Sequence, residues 1–260
     1  MTTLKKKSKP AEPKDIDAGH PAYGATVKVN ARLFAAVAMF RATIAIRHYL
    51  NGVYVEAAPQ GGALICASDG YQLALAYDPD GVAPKDGQIM PVAPKLLTAA
   101  RQRGAVVVAI VGERLRVYNA KHEEAYIQPG KTLIDGKFPP WFHIVPSGKD
   151  LVAQVAGAWN ASLLAKISEA SIFLASTRIR GVTHWQAPAA KDDVFKATPM
   201  LTRFDAEPNF IVVTMPMRCD CKESLPQFLR SVIDKKKADK KPAEKAPAAA
   251  TEKDPQGVTA

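Results

Sequence analysis

The chain has 260 residues, of which 47% are hydrophobic and 23% are charged, as is typical of a folded globular protein with room for one or two domains. No apolar run reaches the roughly 18–20 residues of a membrane-spanning helix. No apolar stretch follows the N-terminal lysines, as one would in a secretory signal. The net charge of +10 favours polyanionic partners such as nucleic acid, although lysine-rich tails that only keep a protein in solution would give the same charge.

The three cysteines predict reduced thiols in a cytoplasmic protein. Cys66, Cys219 and Cys221 are odd in number and lack the spacing of a disulfide framework. Cys219 and Cys221 flank one aspartate, but no histidine or second cysteine pair lies nearby to complete the roughly four ligands of a tetrahedral metal site. We therefore expect neither a metal nor another cofactor.

Composition divides the chain into two predicted tails and a folded part. Residues 1–21 and 234–260 are rich in Lys, Pro, Ala and Glu and have few large apolar residues, so they are predicted to be disordered. The folded part is predicted to contain one domain over residues 22–147 and a shortened second domain over residues 148–233.

A short helical pattern occurs three times in the folded part. Aligning Leu33, Leu96 and Leu163 gives spacings of 63 and 67 residues. Asn30 and Asn160 are predicted N-caps of the first and third helices, and a proline in the first turn starts the second. The spacing of apolar residues after each start is that of a helix with one buried face.

Short strand patterns, separated by glycine-containing turns, follow the first two helices. They are predicted at 52–56, 63–67 and 72–77 after the first helix and at 106–111, 115–118 and 125–128 after the second. The third copy has a clear helix and a clear final strand at 210–215, while 186–199 is predicted to be mostly loop. These patterns predict an α+β fold of repeated strand–helix–strands units, with the helices on one face of antiparallel sheets.

Basic residues recur on the first two predicted helices, on the face opposite the apolar stripe. They are Arg32, Arg41, Arg47, Lys95, Arg101 and Arg103. Charges on a helix are often no more than a solvated face, but their recurrence on two equivalent helices also fits a surface for nucleic acid. The pattern alone leaves both interpretations open.

Four motifs occur in a fixed order at residues 47–53 (RHYLNGV), 67–74 (ASDGYQLA), 135–139 (DGKFP) and 213–218 (VTMPMR). They resemble R-x-Y-L-N-G, A-T-D-G-H-R-L-A, D-G-R-F-P and V-x-M-P-M-R of the β subunit of bacterial DNA polymerase III, the sliding clamp. The resemblance covers residues 25–147 as the family's middle domain. It covers 148–218 as a shortened last domain, with one further match at 179–182, and nothing corresponds to the family's first domain.

The resemblance implies a DNA-clamp fold and a homo-oligomeric ring subunit that encircles duplex DNA as a processivity factor, with no catalytic activity of its own. It implies a groove that binds short peptides of DNA polymerases, clamp loaders and repair proteins. The matching groove positions are Tyr49, Leu50, Ser68, Gly70, Tyr71, Gln72, Leu73, Pro139, Ile144, Val213, Met215, Pro216, Met217 and Arg218. Leu, Pro and Met give such a groove an adaptable apolar lining, and Gln72 and Arg218 are expected to hold peptide carbonyls at its rim.

Three departures from the family change what the resemblance implies. Tyr71 and Gln72 replace His and Arg, so a different peptide preference is expected. Val92, Ala93 and Ile44 stand at positions that are basic or polar in the family, so weaker DNA contact is expected. That contact is then left to Arg47, Lys95, Arg101, Arg103 and Lys166.

Two other classes of protein compete with a clamp. An enzyme of nucleic-acid metabolism would need a catalytic motif, and the nearest grouping, Glu123 and Glu124 beside His122, lies in a predicted turn. A non-encircling binding module that keeps the peptide groove and competes for clamp-binding peptides fits the shortened second domain. Solution mass and loading onto circular DNA distinguish that module from a clamp.

Overall fold

Three repeats, each built around one short helix, make up the folded part of the chain. The computed structural model describes residues 22, 24–43, 46–130, 133–146, 158–175, 181–187 and 198–217. In the first repeat, β1 (Val27–Asn30) leads into α1 (Ala31–Ala38). The helix starts there because the side-chain oxygen of Asn30 accepts hydrogen bonds from the backbone N–H groups of Arg32 and Leu33, at 2.9 and 3.2 Å. The strands β2 (Gly52–Ala57), β3 (Ala63–Ser68) and β4 (Gln72–Asp78) follow.

The second repeat has the same order of elements. Its first strand is β5 (Gln88–Pro91), and its helix α2 (Pro94–Arg101) begins at a proline, whose missing N–H costs nothing at that position. The strands β6 (Ala105–Val111), β7 (Arg114–Asn119) and β8 (Glu124–Ile127) complete the repeat. The predicted strands of both repeats are confirmed, with bounds that differ by one or two residues.

The third repeat is more regular than its sequence indicates. Its helix α3 (Ala161–Leu174) is capped by the side chain of Asn160, as predicted, and is followed by β9 (Val182–Gln186), β10 (Met200–Phe204) and β11 (Glu207–Thr214). The sequence pattern predicted only the last of these strands. β9 and β10 are half polar, because Thr183, His184 and Arg203 lie within them, and so they lack a clear apolar signal.

The first two repeats exchange their leading strands. β1 pairs with β6 in a four-stranded sheet of order β1-β6-β7-β8, and β5 pairs with β2 in a seven-stranded sheet that begins β5-β2-β3-β4. Swapping the first repeat for the second converts one order into the other, so the two repeats are related by a pseudo-two-fold axis. Each repeat therefore completes the sheet of its partner, and α1 packs against α2 between them.

The third repeat extends the seven-stranded sheet through β11, which lies antiparallel to β4 with Leu73 opposite Val213. Beyond β11 the order continues to β10 and then to β9 at the sheet edge. Strands from both sides of residue 147 thus share one sheet, and the division into domains at 147 and 148 stays a prediction.

Apolar residues cover both faces of the seven-stranded sheet. On the face toward the helices, which we call the helix face, Ala74 and Val212 belong to the same core as Phe34 of α1 and Leu96 of α2. On the opposite face, which we call the outer face, Leu73 and Val213 form a second core. The connection over residues 134–145, which we call the outer connection, packs against that core through Ile134, Phe138, Trp141, Ile144 and Val145. The predicted α+β class, with helices on one face of antiparallel sheets, is confirmed.

Two further observations concern the described residues alone. Their helices include none that is long and apolar enough to cross a membrane. Cys66 is a free, buried thiol, and burial raises its pKa well above the ordinary value, so it is an unreactive core residue.

Candidate functional site

Arginines from two helices meet at one cleft on the helix face. Arg32 of α1, Arg101 at the end of α2 and Arg103 just after it line a cavity of about 470 Å³, which Ile172 and Phe173 of α3 also line. The three positions are distant in sequence, and the packing of α1, α2 and α3 brings them together. The result is a basic cleft that joins all three repeats.

Two of these arginines also hold the third repeat in place. The guanidinium of Arg32 donates to the carbonyl oxygen of Leu174 and, at 3.5 Å, to that of Phe173, at the C-terminal end of α3 where carbonyls lack helical partners. The guanidinium of Arg101 lies over the ring of Phe173, at 5.4 Å from its centroid, in a cation–π contact. Arg103 is exposed and has neither of these contacts.

The other predicted basic residues differ in exposure and in whether another group already pairs with their charge. Arg41 is half-buried and donates to the carbonyl of Ala38 at 2.8 Å, and burial lowers the pKa of its guanidinium. Arg47 and Lys95 are exposed. Lys166 of α3 pairs with Asp69 at 2.6 Å, so a carboxylate already compensates its charge.

The predicted groove residues gather where β4 and β11 meet on the outer face. Leu50, Leu73 and Val213 are buried in one cluster, and Tyr49 and Ile144 pack against it. Pro139 and Pro216 are half-buried. Positions from four separate stretches of sequence are therefore brought into one region.

An exposed apolar ledge, formed by Tyr71 and Met215, borders this cluster. The Met215 N–H donates to the Tyr71 carbonyl at 2.9 Å, which continues the β4–β11 ladder by one step. Tyr71 is 67% exposed and Met215 is 39% exposed, and strand alternation puts them on the same side as Leu73 and Val213. Met217 is also exposed.

The turn before β4 gives the ledge its shape. Ser68 accepts from the Gly70 N–H through its hydroxyl oxygen and donates to the Gln72 carbonyl. Asp69 accepts from the backbone N–H groups of Tyr71 and Gln72 through one carboxylate oxygen. Gly70 has a positive φ of 91°, which residues with a side chain rarely adopt. Ser68 and Gly70 thus act on the backbone of the turn.

The expectation that Gln72 lies at the groove rim is wrong. Its side chain points to the helix face, where its amide donates to the carbonyl of Leu163 and to the hydroxyl of Thr214, and it is 1% exposed. One residue separates it from the outward-facing Leu73, so strand alternation turns it inward. Leu73, another of the predicted groove residues, is only 2% exposed and lies in the same cluster as Phe138 of the outer connection. Arg218 lies outside the described residues.

Sequence reasoning missed the aromatic residues of the outer connection. Tyr54 stacks on Phe138 at 4.9 Å between ring centroids, and Glu56 accepts hydrogen bonds from both Tyr54 and Trp141, at 2.8 and 2.9 Å. The run of Phe138, Trp141 and Phe142 was a signal that this connection packs on a sheet. Among the described residues, no group of three or more His, Cys, Asp or Glu could hold a metal ion.

Comparison with known proteins gives a structural likeness. No protein-family model matches the chain, and no curated protein matches it by sequence. The chain is similar to a DNA polymerase sliding clamp from Pseudomonas aeruginosa with a ligand, at 17% identity and a TM-score of 0.47 over 75% of this chain and 67% of that one. It is also similar to a sliding clamp from Bartonella birtlesii bound to griselimycin, at 15% identity and a TM-score of 0.45 over 80% of this chain and 69% of that one. A third similar structure is a sliding clamp from Caulobacter crescentus, at 19% identity and a TM-score of 0.42 over 74% of this chain and 65% of that one.

Proposed function

We propose that this chain is a sliding-clamp-like subunit that holds duplex DNA along its helix face and docks short peptides on its outer face. The observation that carries the proposal is the basic cleft, where Arg32, Arg101 and Arg103 converge from two helices. The resemblance of four ordered motifs to the sliding-clamp family supports it from the sequence. The proposed role is accessory: the chain retains DNA polymerases, clamp loaders or repair proteins on DNA and catalyses no reaction.

A surface of this kind binds phosphates without reading bases. Arginine and lysine side chains that neutralise phosphates release counterions, so binding is independent of sequence and weakens steeply with salt. Weak contacts suit a protein that has to move along DNA. The charge of Lys166 is compensated by Asp69, so the exposed residues Arg47, Lys95, Arg101 and Arg103 are the principal contacts in this proposal.

Salt-dependent DNA binding tests the helix face. We expect Lys95→Ala, Arg101→Ala and Arg103→Ala together to weaken binding to every duplex sequence alike and to reduce the slope of log affinity against log salt by about 1 per lost contact. The matched control replaces three exposed lysines in loops, Lys85, Lys121 and Lys137. Equal losses in the two triple variants, or preference for one DNA sequence, would contradict the proposal.

The peptide proposal is supported by the ledge and the buried cluster beneath it. An extended peptide gains affinity when one or two apolar side chains enter a desolvated pocket. Tyr71 and Met215 offer exposed apolar surface, and Met is adaptable enough to fit different side chains. We propose that Tyr49, Leu50, Pro139, Ile144, Pro216 and Met217 complete this region, and that Arg218 also contacts the bound peptide.

Met215→Ala and Tyr71→Ala are the informative variants, because Leu73 and Val213 are core residues whose truncation would unfold the protein. We expect each to weaken binding of a glutamine–leucine–hydrophobic peptide about tenfold, with an unchanged melting temperature. The double variant should lose less than the sum, since both side chains contact one peptide anchor. Val106→Ala, an exposed apolar residue of the four-stranded sheet, is the control. Unchanged peptide affinity in the double variant would contradict peptide docking here.

Whether the subunit encircles DNA is a separate step of the proposal. The third repeat has one helix and three strands among the described residues, whereas the first two repeats together have two helices and eight strands, and this favours a non-encircling module as the second candidate. Retention on a closed circular duplex, with release when the circle is cut, is expected of an encircling ring. Equal release from circular and linear DNA supports the module.

A further inference from the structure

The third repeat has an open apolar groove at a position that is covered in the first repeat. It lies between α3 and β9, has a volume of about 340 Å³, and is lined by Leu164, Ile167, Ser168, Ser171, Ile172, Val182 and His184. Leu164 and Ile172 are 39% and 50% exposed. None of these described lining residues is Asp, Glu, Lys or Arg.

The first repeat shows what normally lies over such a surface. Aligning Leu33 with Leu163 puts Phe34 and Ala35 at the positions of Leu164 and Ala165. Phe34 and Ala35 are fully buried, whereas Leu164 and Ala165 are exposed. The first repeat also has β5 of the second repeat beside β2, with Met90 fully buried in the shared core. The equivalent of β2 in the third repeat is β9, and no described strand lies beyond it.

Within the described part of the chain, the edge at β9 lacks the protection that the three other sheet edges have. β1 and β5 are bridged on their outer sides by Val82 and Ile134, and β8 contains Glu124. Pairing by an outside strand is usually prevented by charged residues, prolines or covering segments. β9 (VTHWQ) has neither an Asp, Glu, Lys or Arg nor a proline, and burial lowers the pKa of His184, which favours its neutral form.

We propose that a second copy of this chain covers the groove, third repeat against third repeat, about a two-fold axis like the one that relates the first two repeats. An isologous contact places a surface against itself, so a groove without formal charge is well suited to it. The two α3 helices then run antiparallel, with Ser168, midway between Leu164 and Ile172, close to the axis. This pairing needs neither DNA nor a peptide.

The first measurement is the solution mass of the full-length chain. We expect a dimer or a larger even-numbered assembly, and we expect Leu164→Glu to halve the mass by burying a charge at the contact. Phe142→Glu, at an exposed apolar residue on the outer connection, is the matched control and should leave the mass unchanged. A far-UV circular dichroism spectrum identical to that of the parent chain shows that Leu164→Glu still folds.

A cross-link tests the axis itself. In a chain carrying Cys219→Ser and Cys221→Ser, with Cys66 buried, Ser168→Cys should form a covalent dimer under mild oxidation, because disulfides need Cα atoms within about 7 Å. Ser162→Cys, on another side of α3, should not. A monomeric full-length chain, or the absence of a Ser168→Cys cross-link, overturns the proposal. A dimer that appears only when residues 219–260 are removed also overturns it, since the chain's own end is then the occupant.

Discussion

α1 and α3 follow the same kind of capping residue in the same kind of repeat, yet they are covered very differently. In α1, every residue except Arg32 is buried, because the helix packs against both sheets and both other helices. In α3, which is longer, only Leu163, Ile167, Ala170, Ser171 and Leu174 are buried. The repeats thus share a backbone pattern, and what differs is the number of neighbours around each helix.

This difference shows that a repeat of this kind is half of a folding module. The first two repeats exchange strands and bury a common core. The third repeat is stabilised by the pairing of β11 with β4 and by hydrogen bonds from Arg32 and Gln72 to α3. A single repeat has one apolar helix face and a sheet too narrow to cover it. The stability of the pair and of the third repeat should therefore respond unequally to matched substitutions.

The largest effect is expected at the aligned positions of α1 and α3. Phe34→Ala should lower the free energy of unfolding by about 3–5 kcal/mol, since it leaves a cavity in the shared core. Leu164→Ala should cost about 1 kcal/mol or less, because that side chain is partly exposed. Urea denaturation, at a protein concentration low enough for a monomer, measures both. Equal losses would show that the two helices are equally covered.

Two buried glutamines give the next comparison. Gln72 ties β4 to α3, and Gln128 ties β8 to the start of α2 by accepting from Ala93 and donating to Pro91. Each change to alanine should cost about 1–3 kcal/mol, since buried groups lose their hydrogen bonds. Hydrogen exchange should become faster in α3 for Gln72→Ala and in α2 for Gln128→Ala. Faster exchange throughout the molecule in both variants would indicate that the third repeat unfolds only with the rest.

Removal of either asparagine cap should lower stability by a similar amount, but the two losses should affect different parts of the molecule. Asn30→Ala and Asn160→Ala each remove a side-chain acceptor and should cost about 1 kcal/mol. The loss at Asn30 should lower the unfolding midpoint of the whole molecule, whereas the loss at Asn160 should appear mainly as faster exchange in the first turn of α3. Serine at either position, which retains an acceptor, should restore most of the loss.

The smallest effect is expected for the ion pair between Lys166 and Asp69. Lys166→Ala should change stability by about 0–1 kcal/mol, as is usual for pairs that water reaches. It should leave the salt slope of DNA binding nearly unchanged, because the charge is already compensated, whereas Lys95→Ala should reduce the slope by about 1. An equal reduction of the salt slope in the two variants would place Lys166 among the DNA contacts.

Local features of the fold were predictable because they depend on neighbouring residues. The caps at Asn30 and Asn160, the proline start of α2 and most strands follow from side-chain chemistry and apolar spacing. β9 and β10 escaped prediction because half of their residues are polar. The exchange of β1 and β5 between the first two repeats joins distant segments, and no short-range pattern contains it.

The candidate site was predicted in part for the same reason. The motifs indicated that Leu50, Leu73 and Val213 meet, and the structure brings them into one cluster. Their exposure depends on the connection over residues 134–145, whose path the sequence did not predict. The inward direction of Gln72 and the contact of Arg32 with the end of α3 depend on β11 and α3, which lie far along the chain.

The β4–β11 ladder has a consequence for the order of folding. Leu73 and Val213 lie 140 residues apart along the chain. The entropic cost of closing a loop rises with its length, so contacts between residues that are distant in sequence form late. The first two repeats should therefore condense into a stable intermediate, onto which the third repeat docks once β11 has been synthesised. The same ladder is then the natural line along which the native molecule opens. Transient detachment of the third repeat would uncover the edge of β4 while the strand-exchanged core remained folded.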